Sequence, residues 1–568
     1  MADAHALLGS ATHTEAWQDL PWKKFQKVVF RLQKRIYQAA CRGDRRKVHK
    51  LQRLLFHSRA ARLLAVRKVT QENRGKKTPG VDGVASLTPK QRLDLVEDMR
   101  DIQRKPHPVR RVYIPKANGE RRPLGISTMR DRALQSWVKL ALEPEWEARF
   151  EPNVYGFRPG RSVHDAINAV FVSISQRPKY ALDADIEKCY DRIEHRYLLN
   201  KLDTLGEFRR LIKGWLRAGM FDGQTWVPST RGLPQGGPLS PLLMNVALDG
   251  LEKMVRQSVP PHKDGVSWLP LVTRYADDLI ILHRDLETLQ TLKQQTEAWL
   301  APIGLRLKPD KTRITHTLEP YQGAVGFDFL GFEIRQYNVG KHRSGKLGRT
   351  GKRLGFKTII KPSKEAQKRH LRKTGAVIKR YRGATQEQLI QVLEPIIRGW
   401  CNYYRHVVSK AVFGKMYHRV HHQLYKWAKW RHSNKGPRWR RHRYWSRVAG
   451  RMVFGRECHL NPHTQTKIVR HAKVIGRKSP YDGDWAYWGK RLSRYADLSP
   501  MKRKLLERQD GKCRACGLCF SMVDVVELHH KDKNRDNFAL SNLALLHGHC
   551  HDTVHGTRAR GRRRRGAV

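Results

Sequence analysis

Arg274-Tyr275-Ala276-Asp277-Asp278-Leu279-Ile280-Ile281 sets two adjacent aspartates between apolar runs, Leu271-Val272 before and Leu279-Ile280-Ile281-Leu282 after. The flanks read as two buried strands, and Ala-Asp-Asp reads as the tight turn that joins them. Aspartate is a common turn residue, so the pair taken alone fits a solvated turn as well. Two carboxylates on one hairpin tip are costly unless positive charge sits beside them. A pair of divalent cations would supply it, and hard oxygen donors suit Mg²⁺.

A metal site for phosphoryl transfer needs at least one more carboxylate from another element. Ala181-Leu182-Asp183-Ala184-Asp185-Ile186-Glu187-Lys188-Cys189-Tyr190-Asp191 offers it. Asp185 ends a short apolar-alternating strand ahead of a turn into a helix, and Asp183 is the competing ligand.

With these residues in view, four ordered stretches resemble the motifs of a reverse transcriptase, in the flavour encoded by mobile group II introns. They are Asp185-Ile186, Gly232-Leu233-Pro234-Gln235-Gly236-Gly237-Pro238-Leu239-Ser240-Pro241, Tyr275-Ala276-Asp277-Asp278 and Phe329-Leu330-Gly331-Phe332. The resemblance implies an α+β right-hand polymerase with fingers and palm over residues 76–362. It also implies that Asp185, Asp277 and Asp278 hold two Mg²⁺ that serve nucleotidyl transfer. Leu233 stands where the family usually has Thr, and Tyr190 where it more often has Phe.

The 568-residue chain carries Lys+Arg 112 against Asp+Glu 51, a formal net charge of +61. Such an excess repels itself without a polyanion, so nucleic acid is the expected partner. No apolar run approaches the ~20 residues of a membrane span. Met1-Ala2-Asp3-Ala4-His5 lacks a secretory pattern. Eight cysteines occur, four of them from Cys513 onward, which favours a metal site over a disulfide framework. The expected setting is reducing: the cytoplasm or nucleoid of a bacterium, or an organelle matrix. The chain leaves monomer and homodimer both open.

Residues 1–75 read as a basic helical extension, with Trp17, Leu20, Trp22, Phe25 and Ile36 at helical spacing. In the family this extension lies against template and intron RNA. Thr78-Pro79-Gly80-Val81-Asp82-Gly83 resembles the first family motif and reads as a loop. Around Asn118-Gly119, Val112-Tyr113-Ile114 and Pro123-Leu124-Gly125-Ile126 read as a hairpin. Lys116 and Arg122 match positions that contact the incoming nucleotide's phosphates, for which Lys acts as a point charge and Arg as a planar fork. By the same resemblance, Tyr190 packs under the sugar and excludes a 2′-hydroxyl. Gln235 hydrogen-bonds near the sugar and base pair, and Lys311 neutralises charge near the site. Arg158 and Arg161, in Tyr155-Gly156-Phe157-Arg158-Pro159-Gly160-Arg161-Ser162, are expected on a nucleic-acid backbone or at the nucleotide site.

Residues 363–455 change to helices with aromatic and basic faces, similar to the thumb or maturase region of intron-encoded proteins. The expected RNA contacts are Arg398, Trp400, Tyr403, Arg405 and Lys410, then Arg431, His432 and Lys435. Residues 456–505 read as a basic DNA-binding segment or linker.

Residues 506–558 carry a second chemistry. Cys513-x-x-Cys516 and His547-x-x-Cys550 fit a tetrahedral structural Zn²⁺, with Cys519 and His549 as alternative ligands. A domain this small needs such a staple. Between the pairs, Glu527-Leu528-His529-His530 and Asn542, followed by His551 and His555, resemble an HNH nuclease of the ββα-metal fold. That family pattern makes His530 the general base, oriented through Asn542. His529, His551 and His555 would hold one divalent cation, Mg²⁺ by expectation, against the scissile phosphate. A zinc-binding DNA module without cleavage is the alternative. The tail 559–568 reads as a basic disordered segment.

The combined expectation is a protein that binds intron RNA and assists its splicing. It would nick the bottom strand of a double-stranded DNA target and extend that nick from dNTPs to retrohome the intron. A splicing cofactor with vestigial enzyme sites is the alternative; the intact aspartates and His-Asn-His set argue against it.

Overall fold

The computed structural model describes residues 16–555 apart from 116–118, 349, 449, 485–486, 490, 492–498, 521–523, 525, 535–536 and 549. Lys116, the Asn118 turn, His549 and the tail 559–568 therefore lie outside the described residues. The fold is mixed α/β.

At its centre is an antiparallel sheet in the order Arg313–His316, Tyr180–Asp185, Asp278–His283, Leu271–Tyr275. Leu279, Ile280, Ile281 and Leu282 are all buried, so the strand Asp278–His283 is covered on both faces. This explains the continuous apolar run in place of alternation. Helices Leu286–Leu300 and Val163–Ile174 pack against the sheet. A second four-stranded sheet pairs Arg121–Ile126 with Val109–Pro115, then runs through Met220–Asp222 to Thr225–Val227. After Arg121–Ile126 runs the buried helix Met129–Arg149, whose Thr128 cap accepts from the Asp131 amide.

The amino-terminal helices Trp22–Cys41, Arg45–His57 and Arg59–Arg67 pack on Met129–Arg149. They bury Trp17, Trp22, Ile36, Leu55 and Phe56 in the main core. A three-stranded sheet, Phe327–Phe329, Phe332–Asn338 and Phe356–Pro362, leads into helices Lys364–Arg380, Gln386–Tyr404 and Lys410–Arg431. These share a second core with the back of the central sheet. A third, small core of Leu505, Leu506, Phe520, Leu543, Leu545 and Leu546 belongs to the carboxy-terminal module. No helix among the described residues is long and apolar enough to cross a membrane.

Two expectations are corrected. The described part of 456–505 is not a free linker but a strap laid over the helices Met129–Arg149 and Val163–Ile174 and the end of Gln386–Tyr404. Val469 N donates to Arg405 O at 2.9 Å. Tyr481 Oη donates to Glu143 at 2.8 Å. Arg491 and the Val474 amide both reach the buried Asp165, at 2.7 and 2.8 Å. Nor do Arg158 and Arg161 face nucleic acid. Arg158 is buried in a two-pronged ion pair with Glu147, at 2.9 and 3.1 Å. Arg161 is buried too and donates to Pro152 O and to Gly476 O of the strap, at 2.8 and 3.0 Å. Burying a guanidinium requires such partners, and burial shuts both groups off from an external phosphate.

Candidate active site and metal centres

The central hairpin turns through Ala276 and Asp277, with Ala276 at φ 59°. The ladder then places Asp185 directly across from Asp278. Ile186 N donates to Asp277 O at 3.3 Å, tying the strand that carries Asp185 to the turn that carries the other two carboxylates. The three aspartates named by the sequence thus converge from two segments. Lys311, brought in by the turn Pro309–Lys311, forms an ion pair with Asp185. Asp183 lies two residues before Asp185 on the same strand and pairs with Arg313 at 3.6 Å.

Asp277, Asp278 and Asp183 resist ionisation. Asp278 is pushed up to about 7, first by the water-poor surroundings of its carboxyl and then by Asp277, Asp185 and Asp183. One edge of Asp278 remains open to solvent, so a cation can still reach it. Asp277 is raised by burial and by Asp185. Asp183 is raised to about 6 by burial, with Arg313 opposing. A cluster of this kind fits divalent cations, which lower carboxylate pKa values where Lys311 alone does not suffice. Its carboxylate oxygens do not all close within the 4.8 Å that joins each of the Cys/His groups described below.

Beside it, Tyr190 is buried close to Asp277, and Leu233 N donates to Tyr190 O at 2.5 Å. Gly232 sits at φ 85°, where a Cβ would come within 2.6 Å of Asp191 O; only glycine allows that approach. Gln235 Oε1 accepts from Arg122 Nε at 3.1 Å, and its Nε2 donates to Asp191 at 3.3 Å. Arg122, Gln235 and Asp191 therefore form one chain along the wall of the site, with Arg122 exposed.

Most of the expected RNA contacts in the helical domain are already engaged. Tyr403 Oη donates to Leu330 O at 3.2 Å and the ring stacks on Phe332. Arg405 is buried, and the half-buried Trp400 stacks on His370 at 4.5 Å. Lys410 donates to Thr464 O at 2.7 Å, and Arg431 to Arg382 O and Ala384 O at 3.0 and 2.9 Å. His432 meets Tyr444 Oη at 2.8 Å. Arg398, Lys410 and Lys435 are the three of the eight that are exposed. Aromatic and basic residues at helical spacing pack a helix face as readily as they read RNA, and sequence spacing does not separate the two.

In the carboxy-terminal module, strands Val526–His530 and Leu543–His547 pair antiparallel, and residues 550–555 are helical. Two sets of ligand atoms each close within 4.8 Å: Cys513, Cys516, His547 and Cys550, and separately His529, His551 and His555. The first set is thiolate-rich, as structural zinc prefers; the second is all imidazole beside a carboxylate. His547 turns Nδ1 toward Cys516 at 3.2 Å and Nε2 toward Asp524 at 3.4 Å. His551 Nδ1 lies 2.7 Å from Glu527. Carboxylates that orient ligand imidazoles are a familiar outer shell. Neither role was assigned from the sequence, although Glu527 stands two residues before His529 and hence on its strand face. Nothing in the local pattern around Asp524 marks it.

His530 Nε2 is buried with no hydrogen-bonding partner among the described residues. Its orientation through Asn542 needs correction. The Asn542 side chain donates to Asp532 Oδ1 at 2.8 Å and to Asn537 O at 3.0 Å, and accepts from the Asp532 amide at 3.0 Å. It thus pins the loop that follows His530 and does not touch the imidazole directly.

With that geometry in place, known proteins give independent comparisons. Residues 114–334 match the family described as reverse transcriptase (RNA-dependent DNA polymerase). Residues 17–99 match the N-terminal domain of reverse transcriptase, and 367–445 the group II intron maturase-specific domain. The chain is 30% identical over 344 residues to protein YkfC of Escherichia coli (strain K12), covering 54% of this chain and 88% of that protein. It is 27% identical over 405 residues to group II intron-encoded protein LtrA of Lactococcus lactis subsp. cremoris, covering 58% of this chain and 66% of the relative. Maturase-like protein 1 of Euglena gracilis is 28% identical over 330 residues, covering 56% and 65%.

Proposed function

Because the chain belongs to the group II intron-encoded family of reverse transcriptases and maturases, we propose that it couples three activities. It copies RNA into DNA, binds intron RNA to assist splicing, and nicks duplex DNA with its carboxy-terminal module to create the primer. The observation that carries the polymerase reading is the register that sets Asp185 against Asp278 beside the Asp277 turn.

In this reading the central sheet is the palm of a right hand, the hairpin Val109–Ile126 belongs to the fingers, and the helices after Lys364 form the thumb. Asp185, Asp277 and Asp278 hold two Mg²⁺; when bound, these activate the primer 3′-hydroxyl and stabilise the leaving pyrophosphate. The protein's own residues do the positioning. Arg122 meets the triphosphate of the incoming dNTP, Tyr190 floors the sugar site against a 2′-hydroxyl, and Gln235 fixes the wall between them. Lys116 is assigned the triphosphate by family position. Lys311 holds Asp185 in an ion pair, a place that a bound cation would take over. Arg398 and Lys435, with their basic neighbours, meet the intron RNA.

In the carboxy-terminal module, Cys513, Cys516, His547 and Cys550 hold structural Zn²⁺, and His529, His551 and His555 hold the nuclease cation. His530 takes a proton from water through Nε2, which has no hydrogen-bonding partner among the described residues. The reading is of an HNH nuclease that cuts the bottom strand of the target for retrohoming.

The test uses the intron ribonucleoprotein and a labelled duplex target. His530→Ala is expected to abolish nicking and leave extension of a supplied primer intact; Asp277→Ala is expected to do the reverse. One variant that abolishes both would overturn the division of labour. A wild-type particle that extends but never nicks would remove the nuclease from the proposal.

A further inference from the structure

Beneath the acidic turn lies Arg274, 1% exposed. Its Nη1 donates to Ala276 O at 3.2 Å and to Asn245 Oδ1 at 3.0 Å. Asn245 in turn donates to Gly156 O at 2.8 Å. The Arg274 main chain is held as well: its amide donates to Asn153 O at 3.1 Å, and its carbonyl accepts from Tyr155 N at 2.9 Å. Gly156 completes the enclosure, because a Cβ there would collide with the backbone nitrogen of Ala276.

The two peptide groups flanking Asp277 are therefore fixed from opposite sides. The Ala276 carbonyl is held from below by Arg274, and the Asp277 carbonyl from the Asp185 strand by Ile186 N. Ala276 adopts a left-handed conformation that a non-glycine residue takes up only when its surroundings impose it. The guanidinium spends its charge elsewhere: the acids that act on it most strongly are Glu151 and Asp249, both outside the metal-binding trio.

We infer that Arg274, locked by Asn245 and backed by Gly156, is a positioning residue: it sets the Ala276–Asp277 peptide so that Asp277 and Asp278 meet the cation pair in productive geometry. This rests on the polymerase reading above. It adds that the turn does not hold its own shape, and that a neutral amide on a separate element, Asn245 of the helix Ser240–Ala247, is part of the apparatus.

The experiment is steady-state primer extension on an RNA template by the full chain, with Mg²⁺ and dNTP each titrated, alongside thermal melting. The variants are Asn245→Ala, which removes the lock but keeps the guanidinium, and Gly156→Ala, which pushes the same peptide from the other side. Each is expected to lower kcat by about a hundredfold, the scale of an ångström-sized misplacement of reacting groups. KM for dNTP should stay near wild type, and more Mg²⁺ should be needed for half-maximal rate. The double variant should lose little more than either single one, since both act on one peptide. Asn245→Gln, which retains an amide, should recover part of the rate. Wild-type kcat in folded Asn245→Ala and Gly156→Ala would overturn the inference, as would a loss of kcat that merely tracks the loss of melting temperature. Asp277→Ala runs in parallel: if it stays active, the polymerase site itself is wrong, whereas an inactive Asp277→Ala beside active Asn245→Ala and Gly156→Ala sinks only the positioning role.

Discussion

Asp278 faces Asp185 across the ladder, and its pKa of about 7 sets a pH dependence. Its folded value is raised above the ordinary carboxylate value of 3.8. The native state therefore holds a proton that the unfolded chain gives up, and stability falls as pH rises through that interval. Without divalent cations, Asp278→Asn is expected to raise the melting temperature at pH 8 and change little at pH 4, while abolishing extension. Saturating Mg²⁺ should shrink the difference at pH 8; a melting difference independent of both pH and Mg²⁺ would contradict this. The three aspartates were legible in the sequence because hard-metal chemistry restricts the residue types, and because the turn sets Asp277 and Asp278 while the strand Tyr180–Asp185 brings Asp185 opposite Asp278. The Cys/His ligands were legible for the same reason, by their spacing. Arg158, Arg161 and Arg405 were misread because a basic side chain carries the same letter whether it meets a phosphate or is buried within the protein. Only tertiary contacts distinguish the two.

At the scale of elements, the strap is the feature that the sequence concealed. Its basic, glycine- and proline-containing composition is that of a linker, yet it supplies Arg491 and His471 to Asp165, at 2.7 and 3.2 Å. Asp165 is fully buried and also receives the Val474 amide. Its pKa is held well below the usual carboxylate range by His471 and Arg491, against the opposing effect of burial. A depressed folded value stabilises the native state above the unfolded pKa, and that stability is lost as pH falls through the acidic range. Arg491→Ala is expected to cost about 3 kcal/mol at neutral pH, the order for breaking a buried pair. The deficit should shrink in acid, as read by denaturant melts at two pH values. Truncation after residue 455 should leave insoluble protein, whereas truncation after 498 should retain primer extension. Full activity in the shorter chain would return the segment to linker status. The central strands and helical domain were readable from apolar runs and helical spacing, but the path of an irregular segment over a surface leaves no periodic trace.

For the whole molecule, a net charge of +61 makes nucleic-acid affinity largely a matter of counterion release. RNA binding should weaken by about a thousandfold or more between ~50 and ~200 mM salt, measured by filter binding. A flat salt response would mean that the charge serves some other purpose. The carboxy-terminal module has its own core and its own Cys/His ligand set, so chelation should expose it to protease while primer extension in excess Mg²⁺ persists. Lys23 donates to Cys516 O at 2.7 Å, and Arg67 lies 3.9 Å from Asp552, so the module rests on the amino-terminal helices. The account as a whole stands on the convergence of Asp185, Asp277 and Asp278. The most direct measurement is incorporation of one deoxynucleotide onto an RNA-templated primer in Mg²⁺, comparing the intact protein with Asp277→Ala. A drop of about a thousandfold or more in the variant, with its fold intact, is the predicted result; equal rates in the two proteins would contradict it.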